Sequence, residues 1–320
     1  MEQKYVVGID LGGTKIAGAL VDLKGKAIRK SSLPTNAWEG EKEVSNRILK
    51  VVDELLNNEG QDLIVSKDEI RAIGIGSPGP LDVKRGMILN SVNLPFQNFN
   101  IVELVEERYK VKTYLDNDAN VAAIGENVFG AGIGTENMIY ITISTGIGGG
   151  AIINGKIYRG HTCNALEIGH ITVMAEGPLC NCGNHGCAEA LASGTGIARL
   201  ANKKLETAVE SSLTQYEKVT SKEVFAEAAK GDKVAEEILE NSLNYFGICV
   251  ANTITIFDPE MVVIGGGVSK AGKIIFDTVN KVVKKRCFPV MAENCKIVPA
   301  ALGEDAGVMG AAALAIMESK

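Results

Sequence analysis

The sequence predicts an α/β architecture in two lobes. Three observations carry this: strands and helices alternate through the first half, a glycine-rich strand–turn–strand unit occurs twice, and the chain is long enough for two ordinary cores. It has 320 residues, of which 46% are hydrophobic.

Tyr5–Ile9 and Lys15–Val21 read as strands around the turn DLGGT, with a third strand after Gly25. Val44, Ile48, Val51, Val52, Leu55 and Leu56 recur at steps of three and four, which predicts an amphipathic helix ended by Gly60. A buried strand follows at Ile70–Gly76. The segment SPGPLDVKRGMILNSVNLP, rich in Pro, Gly and Asn, predicts turns and a short hairpin, a type of loop that often lines sites. A helix at Ile101–Tyr109, a strand at Val111–Leu115 and a helix from Ala119 to about Phe129 complete the first half. The second half opens with ISTGIGGGAIINGK, which resembles IDLGGTKIAGALVDLKGK and suggests an internal duplication. A third strand runs from Met261 to Ile264 into Gly265, Gly266 and Gly267. The Ala-rich stretch Asp305–Met317 favours a helix, expected to pack back onto the first lobe. The expected domains are therefore 1–118, completed by 305–320, and a larger lobe 119–304 that holds the cysteine loop.

A net charge of −6 and a pI near 5.4 offer no broad basic surface for nucleic acid or an anionic membrane. The N-terminus lacks the roughly 7–15-residue apolar core of a secretory signal. No stretch approaches the roughly 18 apolar residues of a membrane span. With no export signal, a cytoplasmic location is expected, and clustered cysteines there point to metal rather than to disulfides.

Glycines let backbone amides approach phosphate oxygens without a Cβ in the way. In DLGGTK, Gly12 and Gly13 supply that freedom, Thr14 adds a hydroxyl, and Asp10 at the strand end can hold Mg²⁺ through water. Lys15 reads equally as a phosphate contact or a solvated strand lysine. Neither GxxxxGK[ST] nor a strand–GxGxxG–helix unit fits. One such turn could be an ordinary hairpin, but three of them, with Thr145–Gly150 and Gly265–Gly267, point to several backbone approaches to one polyanion.

The string LDNDANVAAIGE places Asp116, Asn117 and Asp118 where a strand gives way to a helix. Helix capping accounts for one of the three. A carboxylate at a helix N-terminus stays ionised, which suits a base accepting a hydroxyl proton, and Asp118 is the candidate with Asp116 as the fallback. In EIGHITVMAEGPLCNCGNHGCAE, His170, Cys180, Cys182 and Cys187 make a full tetrahedral ligand set, which indicates a structural Zn²⁺. His185 is at best a solvated alternative. Cys163, Cys249, Cys287 and Cys295 are scattered and read as core or surface thiols.

On IDLGGTK, LDNDAN, the stretch from ISTGIGGG to EIGH, and CNCGNHGCAE, the whole chain resembles the ROK family of repressors, open reading frames and kinases. Within that family it is most similar to the glucokinase-type branch. The resemblance implies an actin-like ATPase (ribonuclease H-like) fold, two lobes around a nucleotide and sugar cleft, with ATP and a hexose as partners. It implies Asp118 as catalytic base, and Asn117, Glu167, His170 and Glu189 as sugar-hydroxyl ligands, with Gly79 and Asn93 matched more loosely. His170 would ligate zinc with one ring nitrogen and meet a sugar hydroxyl with the other. Asp10, Gly12, Gly13, Thr14, Lys15, Thr145, Gly146, Gly265 and Gly266 match ATP contacts, with Mg²⁺ accompanying the nucleotide. A homodimer or homotetramer is expected.

The activity these matches imply is phosphoryl transfer from ATP to glucose. N-acetylmannosamine, mannose or fructose as acceptor, and polyphosphate as donor, are the alternatives within the enzyme class. A sugar-sensing repressor is the reading from another class. It is disfavoured because the first strand begins at about Tyr5, leaving no room for an N-terminal DNA-binding domain, and because the acidic charge offers no DNA footprint.

Overall fold

Strand β1 (Tyr5–Leu11) and strand β2 (Lys15–Asp22) form an antiparallel hairpin, and β3 (Ala27–Pro34) pairs antiparallel with β2. This is a computed structural model, and it describes residues 3–60, 63–91, 93–207 and 210–320. Helix α1 (Glu41–Leu56) buries Val44, Ile48, Val51, Val52 and Leu55, the face its periodicity predicted. Each such side chain contributes about 1.5–3 kcal/mol on burial. The helix stops four residues before the expected Gly60. Arg29 donates to the Leu55 and Asn57 carbonyls, and Asn58 exchanges two hydrogen bonds with the Val65 backbone, so the chain end of α1 is tied off early.

Strand β4 (Ile70–Ser77) lies parallel to β1. The Pro-Gly-Asn segment that follows forms more than a hairpin: β5 (Leu81–Asp82), β6 (Met87–Asn90) and β7 (Gln97–Asn100) make a small three-stranded antiparallel sheet. Val92, within that segment, lies outside the described residues. Helix α2 (Ile101–Tyr109) has the expected bounds. Strand β8 (Thr113–Asn117) sits two residues later than expected, because its parallel register with β4 pairs Ile73 with Thr113 and Ser77 with Asn117. Helix α3 (Asp118–Phe129) follows without a gap.

The chain then repeats the pattern with β9 (Met138–Ile143), β10 (Ile147–Ile153) and β11 (Lys156–Ile157). After a long loop come α4 (Ala188–Ala192), α5 (Gly194–Leu205), α6 (Ser221–Ala229) and α7 (Lys233–Phe257). Strand β12 (Met261–Gly265), α8 (Lys273–Arg286), α9 (Pro289–Asn294), β13 (Lys296–Pro299) and α10 (Ala306–Glu318) complete it. The first sheet has the order β3-β2-β1-β4-β8 and the second β11-β10-β9-β12-β13. Each places a consecutive strand triplet beside two later strands, and in each the first strand of the triplet neighbours a parallel strand. The glycine-rich resemblance between the halves is therefore a duplication of topology.

By its contacts the chain divides into two units, Met1–Gly134 with Gly150–Ala165 and Ala301–Lys320, and Thr135–Gly149 with Leu166–Ala300. The division does not fall at the expected 118/119. Helix α3 stays with the first unit because it packs on α10, where a Cβ on Gly125 would lie 2.8 Å from the Gly310 Cα. Helix α10 is buried on nearly all sides and lies directly on the sheet. A side chain at Gly8 or Gly74 would collide with its Val308 or Ala311 carbonyl oxygen. Among the described residues, no helix is long and apolar enough to cross a membrane.

Candidate functional site

In the first unit, Asp10 pairs across the sheet with Gly76, and Gly76 with Asp116. The carboxyl ends of the three parallel strands β1, β4 and β8 thus carry Asp10, the Ser77–Gly79 corner, and Asn117–Asp118 in one region. Ligand sites in open α/β sheets sit at such strand ends. The turn Gly12–Lys15 is closed by the Gly12 amide on the Lys15 carbonyl at 3.0 Å, while the Thr35 hydroxyl donates to the Gly12 carbonyl at 2.6 Å. Thr14 accepts from the Thr35 amide through its backbone carbonyl. The space a side chain on Gly13 would need is taken by Asn93, 2.8 Å from the Cβ position, so these two expected site residues adjoin. Gly79 likewise adjoins Asn117, whose Nδ2 lies 3.8 Å from the Gly79 Cβ position.

Asp116, Asn117 and Asp118 have three different tasks. Asp116 is fully buried and meets Arg159 Nε at 2.6 Å, the Asn120 side-chain amide at 2.9 Å and the Asn117 backbone amide at 2.8 Å. It is a structural carboxylate, which removes it as the fallback base. Asn117 caps α3 by accepting from the Ala119 amide at 2.9 Å. Asp118 is exposed in the first helical turn, with Oδ1 2.8 Å from the same amide.

Asp10 lies against the start of α10, where a Cβ on Gly307 would collide with its carboxylate. Burial raises its pKa, and Lys15 opposes that shift. A carboxylate held partly out of water beside a glycine turn could serve a water-mediated contact with a cation.

In the second unit the turn Thr145–Ile147 is shaped by Glu189. Its Oε2 accepts the Ile147 amide at 3.0 Å and stands 2.5 Å from the Cβ position of Gly146, so a side chain there would displace the Glu189 carboxylate. Gly265 ends β12 and Gly266 follows it with φ of 92°, a left-handed conformation that would drive a side chain into the Ile143 carbonyl. A cavity of about 1030 Å³ is lined by Ser144, Thr145, Thr195, Lys218, Phe225 and Gly267, among others. Thr145 is the only expected ATP contact among its lining residues. Thr195, Lys218 and Phe225, which line the same cavity, belong to no glycine turn and are not among the residues singled out from the sequence. The Ser-Gly-Thr-Gly start of α5, with Ser193 capping the Gly196 amide at 3.0 Å, is the signal that could have found the first of them.

His170, Cys180, Cys182 and Cys187 offer ligand atoms that all lie within 4.8 Å of one another. His170 Nδ1 is 3.7 Å from Cys180 Sγ, and Cys182 Sγ is 3.7 Å from Cys187 Sγ. A tetrahedral ion with bonds of about 2.0–2.3 Å needs donor separations of about 3.5–3.8 Å, which these two pairs match, and the donor types of the whole set suit a metal ion. The loop backbone holds them there through the Cys180 amide on the Asn184 carbonyl at 2.7 Å and the Gly183 amide on the Cys180 carbonyl at 3.0 Å. Burial, with Cys182 and Cys180 alongside, pushes the Cys187 thiol up to about 12, while the Asn184 backbone lowers that of Cys182. His170 directs Nδ1 to the thiols and leaves Nε2 4.0 Å from Glu167. His185 instead places Nδ1 3.1 Å from the Gly177 carbonyl oxygen, outside the cluster.

A sequence model of the ROK family matches residues 6–318. The chain is 39% identical over 315 residues to a glucokinase of Halalkalibacterium halodurans, covering 97% of this chain and 94% of that protein. It is 31% identical over 316 residues to a xylose repressor of Caldicellulosiruptor bescii, covering 98% of this chain and 78% of the repressor. A ROK hexokinase from Thermus thermophilus superposes with a TM-score of 0.85 at 35% identity, covering 98% of both chains. A ROK family glucokinase from Streptomyces griseus, in complex with glucose and AMPPNP, gives 0.78 at 33% identity over 97% of this chain and 98% of that one.

Proposed function

The chain belongs to the ROK family, and from that premise we propose that it is a kinase transferring the γ-phosphoryl group of ATP to the 6-hydroxyl of glucose. Its two five-stranded sheets of one topology are the actin-like ATPase fold in two lobes. The single observation that carries the activity is the division of labour at the end of β8. Asp116 is committed to Arg159 and Asn117 to the helix cap, while Asp118 is exposed in the first turn of α3.

In this reading Asp118 accepts the proton of the attacking hydroxyl. Asn117 keeps its Nδ2 for a sugar oxygen because its Oδ1 is spent on the cap, and Gly79 and Asn93 bound the same loop region. Glu167, His170 and Glu189 are a second hydroxyl-binding set. Glu189 has one oxygen on Ile147 and the other for substrate. Backbone amides of Gly12, Gly13, Gly146, Gly265 and Gly266, with the Thr14 and Thr145 hydroxyls and Lys15, bind phosphate oxygens. Asp10 would hold the Mg²⁺ that accompanies the nucleotide, a cation whose chemistry there would be charge neutralisation on the phosphates.

The thiolate-rich donor set of His170, Cys180, Cys182 and Cys187 selects zinc, with all four positions filled by protein. With His170 Nδ1 as a ligand, the ring's tautomer would be fixed and Nε2 would remain available beside Glu167. The protein assembles as a homo-oligomer in the cytoplasm.

The reading is tested by ADP release across glucose, mannose, fructose and N-acetylmannosamine, repeated with polyphosphate in place of ATP. Glucose with ATP is expected to give the highest kcat/KM. A tenfold advantage for N-acetylmannosamine would reassign the acceptor, and no turnover with any sugar would favour a sensing role like that of the repressor relatives.

A further inference from the structure

Arg199, on α5, is absorbed neither by the metal ligands nor by the expected nucleotide contacts. Its guanidinium donates from Nη1 to the Leu179 carbonyl at 2.8 Å and from Nη2 to the Ala190 carbonyl at 2.9 Å. Leu179 directly precedes the ligand Cys180, and Ala190 directly follows Glu189. One turn earlier on the same helix, the Gly194 amide donates to the Ser144 carbonyl at 2.7 Å and the Thr195 hydroxyl to the Thr145 carbonyl at 2.8 Å. Helices α4 and α5 are in close contact, since a Cβ on Gly196 would lie 2.6 Å from the Glu189 carbonyl oxygen. A continuous set of hydrogen bonds therefore joins the cysteine loop to the Ser144–Ile147 turn, through Arg199 and α5 on one side and through Glu189 on the other.

We propose that Arg199 is a positioning residue that couples metal occupancy of the cysteine loop to nucleotide binding at the Ser144–Ile147 turn. The proposal rests on the kinase reading for the identity of the nucleotide. With the metal in place, the loop presents the Leu179 carbonyl to one arm of the fork, while the other arm ties down an end carbonyl of the five-residue α4. The fork sets α5, and α5 sets the turn. Loss of the metal frees Leu179, loosens the fork, and lets the turn lose the backbone arrangement that meets phosphate. Only a planar two-armed donor spans both carbonyls in this way. Because coupling between sites is reciprocal, bound nucleotide also tightens metal binding by the same factor.

The test measures AMPPNP affinity with Mg²⁺ by calorimetry for the full protein as isolated and after metal stripping, and metal affinity with and without AMPPNP by equilibrium competition with a chromogenic chelator. In the wild type, stripping should weaken AMPPNP by about five- to tenfold, and AMPPNP should raise the metal affinity by the same factor. In Arg199→Met the affinity of the loaded protein should already be reduced, and stripping should add less than about a twofold loss. Arg199→Gln, too short to reach both carbonyls but still polar, should behave the same way and serves if the Met variant does not fold. Equal losses on stripping in wild type and variants, or no loss in the wild type, would overturn the coupling and leave the kinase reading standing. A wild type that binds no AMPPNP in either state would overturn both.

Discussion

The Asp116 carboxylate meets Arg159 Nε at 2.6 Å, and Arg159 extends its Nη2 to Glu318 at 2.7 Å. One arginine thus ties the end of β8 to the last turn of α10. Asp116 side-chain exposure is 0% and that of Arg159 is 24%, so removing the buried partner leaves the arginine half-satisfied in a poorly solvated place. Asp116→Asn is expected to cost about 2–3 kcal/mol of stability by chemical denaturation. A loss below about 0.5 kcal/mol would show that water substitutes for the pair.

Asp10 makes the opposite prediction. Its folded pKa is raised by burial, so ionised Asp10 penalises the fold at neutral pH, and the penalty disappears as pH falls through the folded value toward the unfolded one. Asp10→Asn should therefore melt no lower than wild type at pH 7, with any advantage narrowing on acidification. Activity with Mg²⁺ and ATP should fall on the order of 10²-fold. A mutant that melts well below wild type at pH 7 would mean that the carboxylate is structural.

About one zinc per chain is expected in protein purified without added metal, held by His170, Cys180, Cys182 and Cys187. Cys182 is the exposed member of the set, so Cys182→Ser tests ligation with the least disturbance of packing. The variant should retain less zinc on dialysis against a chelator and lose thermal stability with it. Wild-type zinc content in the variant would count decisively against the site.

These expectations came from features that are local in sequence. Glycine turns, three cysteines within eight residues and a polar run before a helix are chemistry written in consecutive letters. What was not legible depends on register and long-range contact. Asp116 and Asp118 look alike in the string LDNDAN, but the pairing of β8 with β4 buries the first, while the second falls in the opening turn of α3. The partner that decides the matter, Arg159, is 43 residues away. The membership of α3 in the first unit is not legible in the sequence, because its close crossing with α10 at Gly125 and Gly310 has no signature in either segment alone. Arg199 is in the same position, since the carbonyls it reaches carry no side-chain signal.

Phe288 and Val290 are 68% and 67% exposed at the start of α9, two large apolar side chains with no cover in the single chain. If the chain assembles with copies of itself, such side chains are the ones to be buried. Light scattering at micromolar concentration should give a dimer or tetramer mass, and Phe288→Ser should shift it downward. A monomer for wild type would end the idea, and an unchanged oligomer for the variant would move the interface elsewhere.

Asp118→Asn should lower kcat far more than it weakens glucose binding. The substitution preserves shape and, because Asn117 Oδ1 accepts the Ala119 amide and a carboxamide oxygen at position 118 can accept it as Asp118 Oδ1 does, it leaves the helix start intact. Thermal stability should therefore hardly change, which separates a chemical role from a structural one. A positioned base contributes on the order of 10²–10⁴ in rate, whereas loss of a hydrogen bond to bound sugar would appear chiefly in Kd. The informative set is kcat, glucose Kd and melting temperature for wild type, Asp118→Asn and Asp116→Asn. Asp116→Asn should lose stability first and activity as a consequence, and Asp118→Asn should lose activity alone. If Asp118→Asn keeps more than about a tenth of the wild-type kcat, a base at this position is ruled out. Asp116 could not take its place, since its carboxylate is closed off by Arg159, Asn120 and the Asn117 amide.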